Sequence, residues 1–174
     1  MQKFIFFFLI FCINIFPQQK NVKLSVQSLK NATYYIIFAD TTVKLKNGNF
    51  TLEKRDEEGL LIKYLSVDLV EDKIATGDID GDGDEDAVVI LISSGGGSGT
   101  FYEVAVMLND NGKPRYLIGE FLGDRIKLNF VKILSDRSIL IDMIVHGPRD
   151  SQCCPTLPKT QRYKITGGKL QIIK

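Results

Sequence analysis

Hydrophobic residues recur along most of the chain in short runs with the alternating pattern of β-strands. The runs are rich in β-branched and aromatic residues, and turn-forming residues separate them at intervals of about eight to twelve positions. The alternation is clearest where Ile126, Leu128, Phe130 and Ile133 or Leu134 are expected to face inward, with polar residues between them. This spacing predicts antiparallel strands rather than helices.

The pattern predicts about ten strands. The continuous apolar run Ala87–Ile92 has the length and composition expected of a buried strand. Residues Val22–Asn31 are expected to form one amphipathic turn or a short helix before the first strand. The predicted strands are, in chain order, Tyr34–Phe38, Thr42–Leu45, Phe50–Lys54, Leu60–Leu69, Ala87–Ile92, Phe101–Leu108, Tyr116–Leu122, Arg125–Leu134, Ser138–Val145, and Tyr163–Ile165 with Leu170–Ile173.

Turn signals between the runs support this assignment. Asn47-Gly48 is a type I′ hairpin signal between the second and third strands. Asn109–Gly112 and Thr166–Lys169 join later strands with residues that tolerate positive φ. The predicted fold is therefore mainly β: a single-domain antiparallel β sandwich, roll or open barrel with at most one or two short helices.

The first 17 residues have the pattern of a targeting segment. Lys3 precedes the largely apolar run Phe4–Phe16, which is shorter than the stretch of about 20 residues that a membrane-spanning helix needs. Residues 1–17 are therefore predicted to be a signal peptide or a short N-terminal anchor, and residues 18–174 to form one β-rich domain. The segment ending at Cys12 resembles a lipoprotein signal except for the bulky Phe11, so acylation of Cys12 stays an alternative.

Composition places the chain among folded proteins, and its charges are unevenly distributed. Of the 174 residues, 44% are hydrophobic and 25% charged, which is close to the globular average. Between Glu71 and Asp86, eight carboxylates face one lysine, whereas the rest of the chain has 21 basic and 13 acidic side chains. These basic residues are scattered, without a clustered patch, so we expect no nucleic-acid partner.

The densest acidic segment, Gly77–Asp86, has the spacing of a calcium loop. Carboxylates at positions 1, 3, 5, 7 and 9 can surround one hard cation, which prefers six to eight oxygen ligands, and Gly83 occupies the sharp turn at position 6. Position 7 commonly provides a backbone carbonyl rather than its side chain. The cofactor predicted is Ca²⁺. Its predicted ligands are Asp78, Asp80, Asp82, Asp84 through its carbonyl, and Asp86.

The residues that follow the loop distinguish it from a helix-loop-helix sensor. Position 12, where an EF-hand has a bidentate Glu, is Val89, and Ala87–Leu91 is a predicted strand. The segment resembles the calcium loops of FG-GAP and VCBS-type extracellular repeats, and that resemblance implies a structural ion of modest affinity. The alternative is a solvated acidic turn without a metal.

Several further blocks resemble a known family. They resemble the small exported bacterial proteins of the LppP/LprE-type lipoprotein family over nearly all of the mature chain. The resemblance implies export and one β-rich domain, and it implies no enzymatic activity. The blocks are Leu29–Tyr34, Val43–Gly48, the aspartate loop, Gly96–Phe101, Phe121–Ile126 and His146–Pro148 with Cys153–Pro155.

Three further features contain residue types that can take part in binding or catalysis. Cys153 and Cys154 are adjacent, so a vicinal disulfide, a reduced pair and an intermolecular bond all stay open, and two half-buried thiols are the favoured expectation. His146, the only histidine, is expected to form a structural turn, and no catalytic residue is assigned. The glycine- and serine-rich loop Ser93–Thr100 lacks a phosphate-binding signature and is expected to connect two strands.

The function predicted from these features is that of an exported, calcium-stabilised structural or binding module of the cell envelope or the secreted fraction. Its expected location is the periplasm, the cell surface or the medium. We expect a monomer whose partner is an envelope protein or a glycan. The alternatives are an extracytoplasmic hydrolase or thiol enzyme that uses His146 with Cys153 or Cys154, and an inhibitor of an envelope enzyme.

Overall fold

The computed structural model of the chain describes residues 22–173. The predicted signal peptide or anchor of residues 1–17, including Cys12, lies outside the described residues. Within residues 22–173, no helix combines the length and the apolar character that crossing a bilayer requires.

Strands make up most of the described chain, as the sequence pattern predicts. One short helix, α1, comprises Val26–Leu29, with Ser25 as its N-cap, and a 3₁₀ turn comprises Glu71–Lys73. The strands are β1 Thr33–Ile36, β2 Thr41–Lys44, β3 Asn49–Arg55, β4 Leu61–Leu69, β5 Ala75–Gly77, β6 Asp86–Ser94, β7 Phe101–Asp110, β8 Lys113–Asp124, β9 Lys127–Ile133, β10 Ile139–Val145, β11 Leu157–Thr166 and β12 Lys169–Ile173.

The strands form three antiparallel sheets. The largest has the order β3-β4-β6-β7-β8, and β5 pairs with the first part of β6. A four-stranded sheet has the order β12-β11-β10-β9, and β1 pairs with β2 in a small third sheet. The predicted class, mainly β with antiparallel sheets and one short helix, is confirmed, and the sheets of the described residues do not close into a barrel.

Strand β6 contributes to two hydrophobic clusters, one on each face of the large sheet. Because side chains alternate along a strand, Ala87, Val89 and Leu91 pack towards α1, β1 and β2. Val88 and Ile90 point the other way and pack towards the four-stranded sheet. Burial on both faces explains why residues 87–91 read as a continuous apolar run.

The Asn47-Gly48 turn is confirmed, but it does not join a paired hairpin. Asn47 and Gly48 have φ values of 54° and 90°, as a type I′ turn requires, and the main chains of Lys46 and Asn49 bond to each other across it. The pairing stops at this bridge, because β2 pairs with β1 and β3 pairs with β4.

A β-bulge changes the inward face of β9. Phe130 lies opposite Asp142 and Leu128 opposite Met143, so one residue of β9 is skipped in the register. Beyond the bulge Val131 is buried, whereas the Lys132 ammonium lies over the Phe130 ring, 4.8 Å from its centroid. The expectation that Phe130 faces the core with Leu128 is therefore wrong, because the extra residue reverses the alternation.

Candidate metal centre

The aspartate loop lies between two strands that pair with each other. In the antiparallel register of β5 and β6, Ala75 lies opposite Val88 and Gly77 opposite Asp86. This pairing fixes the two ends of the loop side by side, and Ile133 packs against Gly77 at the entry. The acidic residues are therefore confined to a closed turn.

Two glycines allow the loop to curl. Gly81 and Gly83 have φ values of 92° and 93°, in a region that residues with a Cβ rarely occupy. The surroundings of the two glycines differ. A Cβ at Gly81 would overlap the guanidinium of Arg137, whereas a Cβ at Gly83 would meet no atom within 4 Å.

The carboxylates of the loop accept hydrogen bonds from its own backbone. Gly81 N–H donates to Asp78 Oδ1 at 2.6 Å, and Asp82 N–H donates to Asp80 Oδ1 at 3.1 Å. Asp84 N–H donates to Asp82 Oδ1 at 2.8 Å. These successive Asx-type bonds fix the carboxylates of Asp78, Asp80 and Asp82 to the backbone of the loop.

Three of the predicted ligand side chains converge. Asp78, Asp80 and Asp86 each offer a carboxylate oxygen, and the three oxygens lie within 4.8 Å of one another. Oxygens that bind one calcium ion at about 2.3–2.6 Å can be at most about 5 Å apart, so the spacing fits a shared cation. Asp82 is exposed and lies outside this group, as does the side chain of Asp84, which was expected to bind through its carbonyl.

Asp86 is the buried member of the group, with 1% of its surface exposed. Its Oδ2 accepts from Ile79 N–H at 2.8 Å and from Asp80 N–H at 3.4 Å, and its Oδ1 accepts from Asn109 N–H at 2.9 Å. Burial raises the pKa of the Asp86 carboxyl, the backbone donors oppose this shift, and the nearby Asp80 charge adds to it. A cation beside Asp86 would therefore offset part of the cost of its buried charge.

Asn109 holds the edge of the loop in place, a role that the sequence pattern did not indicate. Its Nδ2 donates to Val22 O at 2.8 Å and to Glu85 O at 3.2 Å, and its Oδ1 accepts from Gly112 N–H at 2.7 Å. A salt bridge of 3.0 Å between Lys23 and Glu85 adds a second link. The first described residues are therefore attached beside the aspartate loop.

A basic side chain from another turn reaches the loop. Arg137 lies in the connection between β9 and β10, has a φ of 65°, and places its guanidinium against Gly81. An open cleft of about 620 Å³ adjoins this contact, and its lining includes Asp80, Arg137 and Lys164. Within residues 22–173, neither Arg137 nor Lys164 forms a salt bridge.

Cys153, Cys154 and His146 are arranged differently from the sequence-based expectation. Cys153 and Cys154 form a vicinal disulfide and are both exposed, so the expected pair of half-buried thiols is wrong. His146 lies at the end of β10, and its Nε2 is buried without a hydrogen-bond partner among the described residues. With both sulfurs bonded, this arrangement has no free thiol to act as a nucleophile.

An aromatic surface adjoins the glycine-rich loop between β6 and β7. The rings of Phe38 and Phe101 stack with their centroids 3.8 Å apart, and Phe121 lies 6.3 Å from Phe101. Phe38 and Phe121 are 38% and 41% exposed. A Cβ at Gly99 would overlap the Phe101 ring, so the loop uses a glycine where its backbone covers this ring. The loop is therefore part of a surface as well as a connection.

Comparison of the chain with known protein families, with curated proteins and with solved structures found no match. The resemblances noted in the sequence therefore depend on the quoted motifs alone.

Proposed function

We propose that the protein is an exported β-domain stabilised by one calcium ion in the loop of residues 78–86, and that it acts as a structural or binding module. The observation that carries the proposal is the convergence of Asp78, Asp80 and Asp86, whose carboxylate oxygens lie within 4.8 Å of one another. The backbone carbonyl of Asp84 and the Asp82 carboxylate complete the proposed ligand set after local adjustment. No catalytic activity is inferred.

Electrostatics favours a cation at this position. Like charges a few ångströms apart disfavour one another's ionised forms, and a divalent cation converts that repulsion into attraction. Oxygen ligands from carboxylates and a carbonyl suit Ca²⁺ better than softer metals. Without a Glu at the twelfth position, the expected dissociation constant is on the order of 10⁻⁴ to 10⁻³ M, as in extracellular modules.

The ion's role in this proposal is to fix the entry to β6. Asp86 is the first residue of β6, and the residues after it pack on both faces of the large sheet. Free calcium at about ten times its dissociation constant would stabilise the folded state by roughly 1.4 kcal/mol. That gain suits a structural ion rather than a signalling switch.

Calorimetry and thermal melting of the purified protein, with calcium and with chelator, test the metal site. We expect one ion per chain, a higher melting temperature with calcium, and weaker binding after Asp80→Asn. Glu57→Gln is the matched control, since Glu57 is an exposed acid far along the chain from the loop. Absence of both calcium uptake and a melting shift would refute the proposal.

We further propose that an envelope glycan would bind at the aromatic surface formed by Phe38, Phe101 and Phe121, beside the glycine-rich loop. Exposed aromatic rings beside a glycine-rich loop are typical of binding surfaces, and such rings pack well on the apolar faces of sugars. Co-sedimentation with insoluble peptidoglycan tests the glycan alternative. We expect Phe121→Ala to reduce binding and Ile172→Ala, at a residue 63% exposed on β12, to leave it unchanged. Equal binding by both variants would exclude this surface.

Export is proposed from the pattern of residues 1–17, with the periplasm, the cell surface or the medium as destination. Because Val22 is attached beside the aspartate loop, a retained anchor would join the domain at that edge. Mass spectrometry of the native protein would report the cleavage site and any acyl chain on Cys12. A full-length, unmodified mass in a cytoplasmic fraction would contradict the proposal.

A further inference from the structure

The disulfide between Cys153 and Cys154 is open to reagents in solution. It lies in the connection of residues 146–156 between β10 and β11, and both cysteines are exposed. Ser151 Oγ is 3.2 Å from Cys153 Sγ, so a hydroxyl group, rather than an apolar cover, adjoins the sulfur. Exchange with a thiol requires access to a sulfur atom, and this bond provides it.

The same disulfide contributes little to holding the fold together. A cross-link stabilises a protein mainly by restricting the unfolded chain, and the restriction grows with the number of residues enclosed. Here the two cysteines are adjacent in sequence, so no intervening residue is enclosed. Restriction of the unfolded chain therefore gives this bond little stabilising effect.

The loop around the cysteines is held by contacts that do not involve sulfur. Asp150 Oδ2 accepts from Gly147 N–H at 2.8 Å and from Thr156 N–H at 2.7 Å, and its Oδ1 accepts from Thr156 Oγ1 at 2.8 Å. Cys154 N–H donates to Ser151 O at 3.0 Å. These bonds hold both ends of the loop, so we expect the loop to keep its position when the sulfur bond opens.

We propose that Cys153 and Cys154 form a redox site that exchanges electrons with a dithiol reductant, which lies in the extracytoplasmic space if the protein is exported as proposed above. A thiolate of the reductant attacks one Sγ, the sulfur–sulfur bond breaks, and the other Sγ leaves as a thiolate that takes up a proton. The second thiolate of the reductant then attacks its own sulfur in the mixed disulfide and releases the first cysteine, which is also protonated. Two electrons and two protons pass to the protein, and the reductant becomes a disulfide.

Graded dithiothreitol, followed by alkylation and peptide mass mapping, tests the site in the full-length protein. We expect the peptide with Cys153 and Cys154 to gain two alkyl groups at concentrations that leave circular dichroism and the urea midpoint unchanged. The Cys153→Ser/Cys154→Ser variant should show the same urea midpoint as the oxidised wild type. Chelator should change neither the extent of alkylation nor the agreement among the midpoints of the oxidised, reduced and variant proteins, which separates this proposal from the calcium site.

Two results would overturn the proposal. One is reduction of the native protein only where dithiothreitol also unfolds it, and the other is a lower urea midpoint after reduction, which would make the bond structural. Asp150→Asn tests the loop contacts separately. Reoxidation of this variant by oxidised glutathione should be several-fold slower than that of the wild type, since the cysteines are held together less often. An unchanged rate would remove Asp150 from the proposal.

Discussion

The backbone N–H of Asn109 donates a hydrogen bond of 2.9 Å to Oδ1 of Asp86, so the last turn of the aspartate loop is attached to the end of β7. The same carboxylate accepts from Ile79 N–H, on the other side of the loop. One buried side chain thus connects the loop to itself and to the neighbouring strand. We therefore expect the order of the loop to depend on this connection whether or not an ion is bound.

Asp86→Asn should therefore destabilise the protein with or without calcium. An amide can accept at only one of its two positions, so at least one of the buried backbone donors loses its partner, at a cost of about 1–3 kcal/mol. Urea unfolding in chelator measures this loss. Asp82→Asn, at an exposed residue, should cost less under the same conditions, and equal costs would contradict the role given to Asp86.

Gly81 and Gly83 have nearly the same backbone conformation, so substitutions at these two positions can be compared directly. Both have φ near 90°, so Ala should cost about 1–2 kcal/mol at either position. Gly81→Ala should cost more, because its Cβ would also displace the Arg137 guanidinium. Urea unfolding should show this difference in the wild-type background and not in the Arg137→Gly background. A difference that persists there would mean that Arg137 is not its cause.

Arg137 should weaken calcium binding, since its positive charge lies against Gly81 in the middle of the proposed site. Arg137→Gln should raise the calcium affinity about two- to tenfold at low salt, and the gain should shrink as salt screens the charge. Calorimetry measures both effects. Arg149→Gln removes an exposed arginine that forms no salt bridge among the described residues, so it controls for net charge. Equal gains from both variants would show a non-specific charge effect.

Glu103 should give the protein a distinctive dependence on pH. Burial raises the pKa of its carboxyl above the ordinary 4.5, although the N–H groups of Ile37 and Phe38 oppose the shift. The folded state therefore holds this proton more tightly than the unfolded chain does, and the associated stability declines as pH rises from about 4.5 through the folded pKa.

The comparison with Glu103→Gln isolates this effect, because the other carboxyl groups titrate equally in both proteins. The free energy of unfolding of the wild type, minus that of the variant, should be largest at low pH and fall as pH rises. Urea unfolding between pH 4 and pH 7 measures it. A difference that grows with pH would mean that the backbone donors, and not burial, dominate the pKa of Glu103.

Local sequence signals were sufficient for much of the fold. Strand β6 was recognisable from its own apolar run. The turns at Asn111-Gly112 and Gly167-Gly168 were recognisable from their residue types, and these residues have the expected positive φ values. Strand β5 and the first half of β11 were missed. Their residues adopt strands because β6 and β10 provide partners, and no short-range pattern reports such pairing.

The candidate metal site was also predictable in part, because its acidic residues lie in one segment and its supporting residues do not. The spacing of the aspartates identified a loop in which Asp78, Asp80 and Asp86 come together, because all three lie in one short segment. The contributions of Asn109 and Arg137 were not predictable, since Asn109 lies near the end of β7 and Arg137 in the turn between β9 and β10, both outside the aspartate segment. The exposure of Cys153 and Cys154 also depends on the path of a long connection, which the sequence alone does not specify.

Because β6 is buried on both faces, it is the strand that connects the two hydrophobic clusters of the domain. A change at Asp86, its first residue, can reach α1 and β1 through Ala87 and the four-stranded sheet through Val88. Tightening of the aspartate loop would therefore slow hydrogen exchange in all three layers, including amides far from the loop. An ion in this loop, if bound as proposed, would therefore act as a structural brace for the whole domain and not for the loop alone.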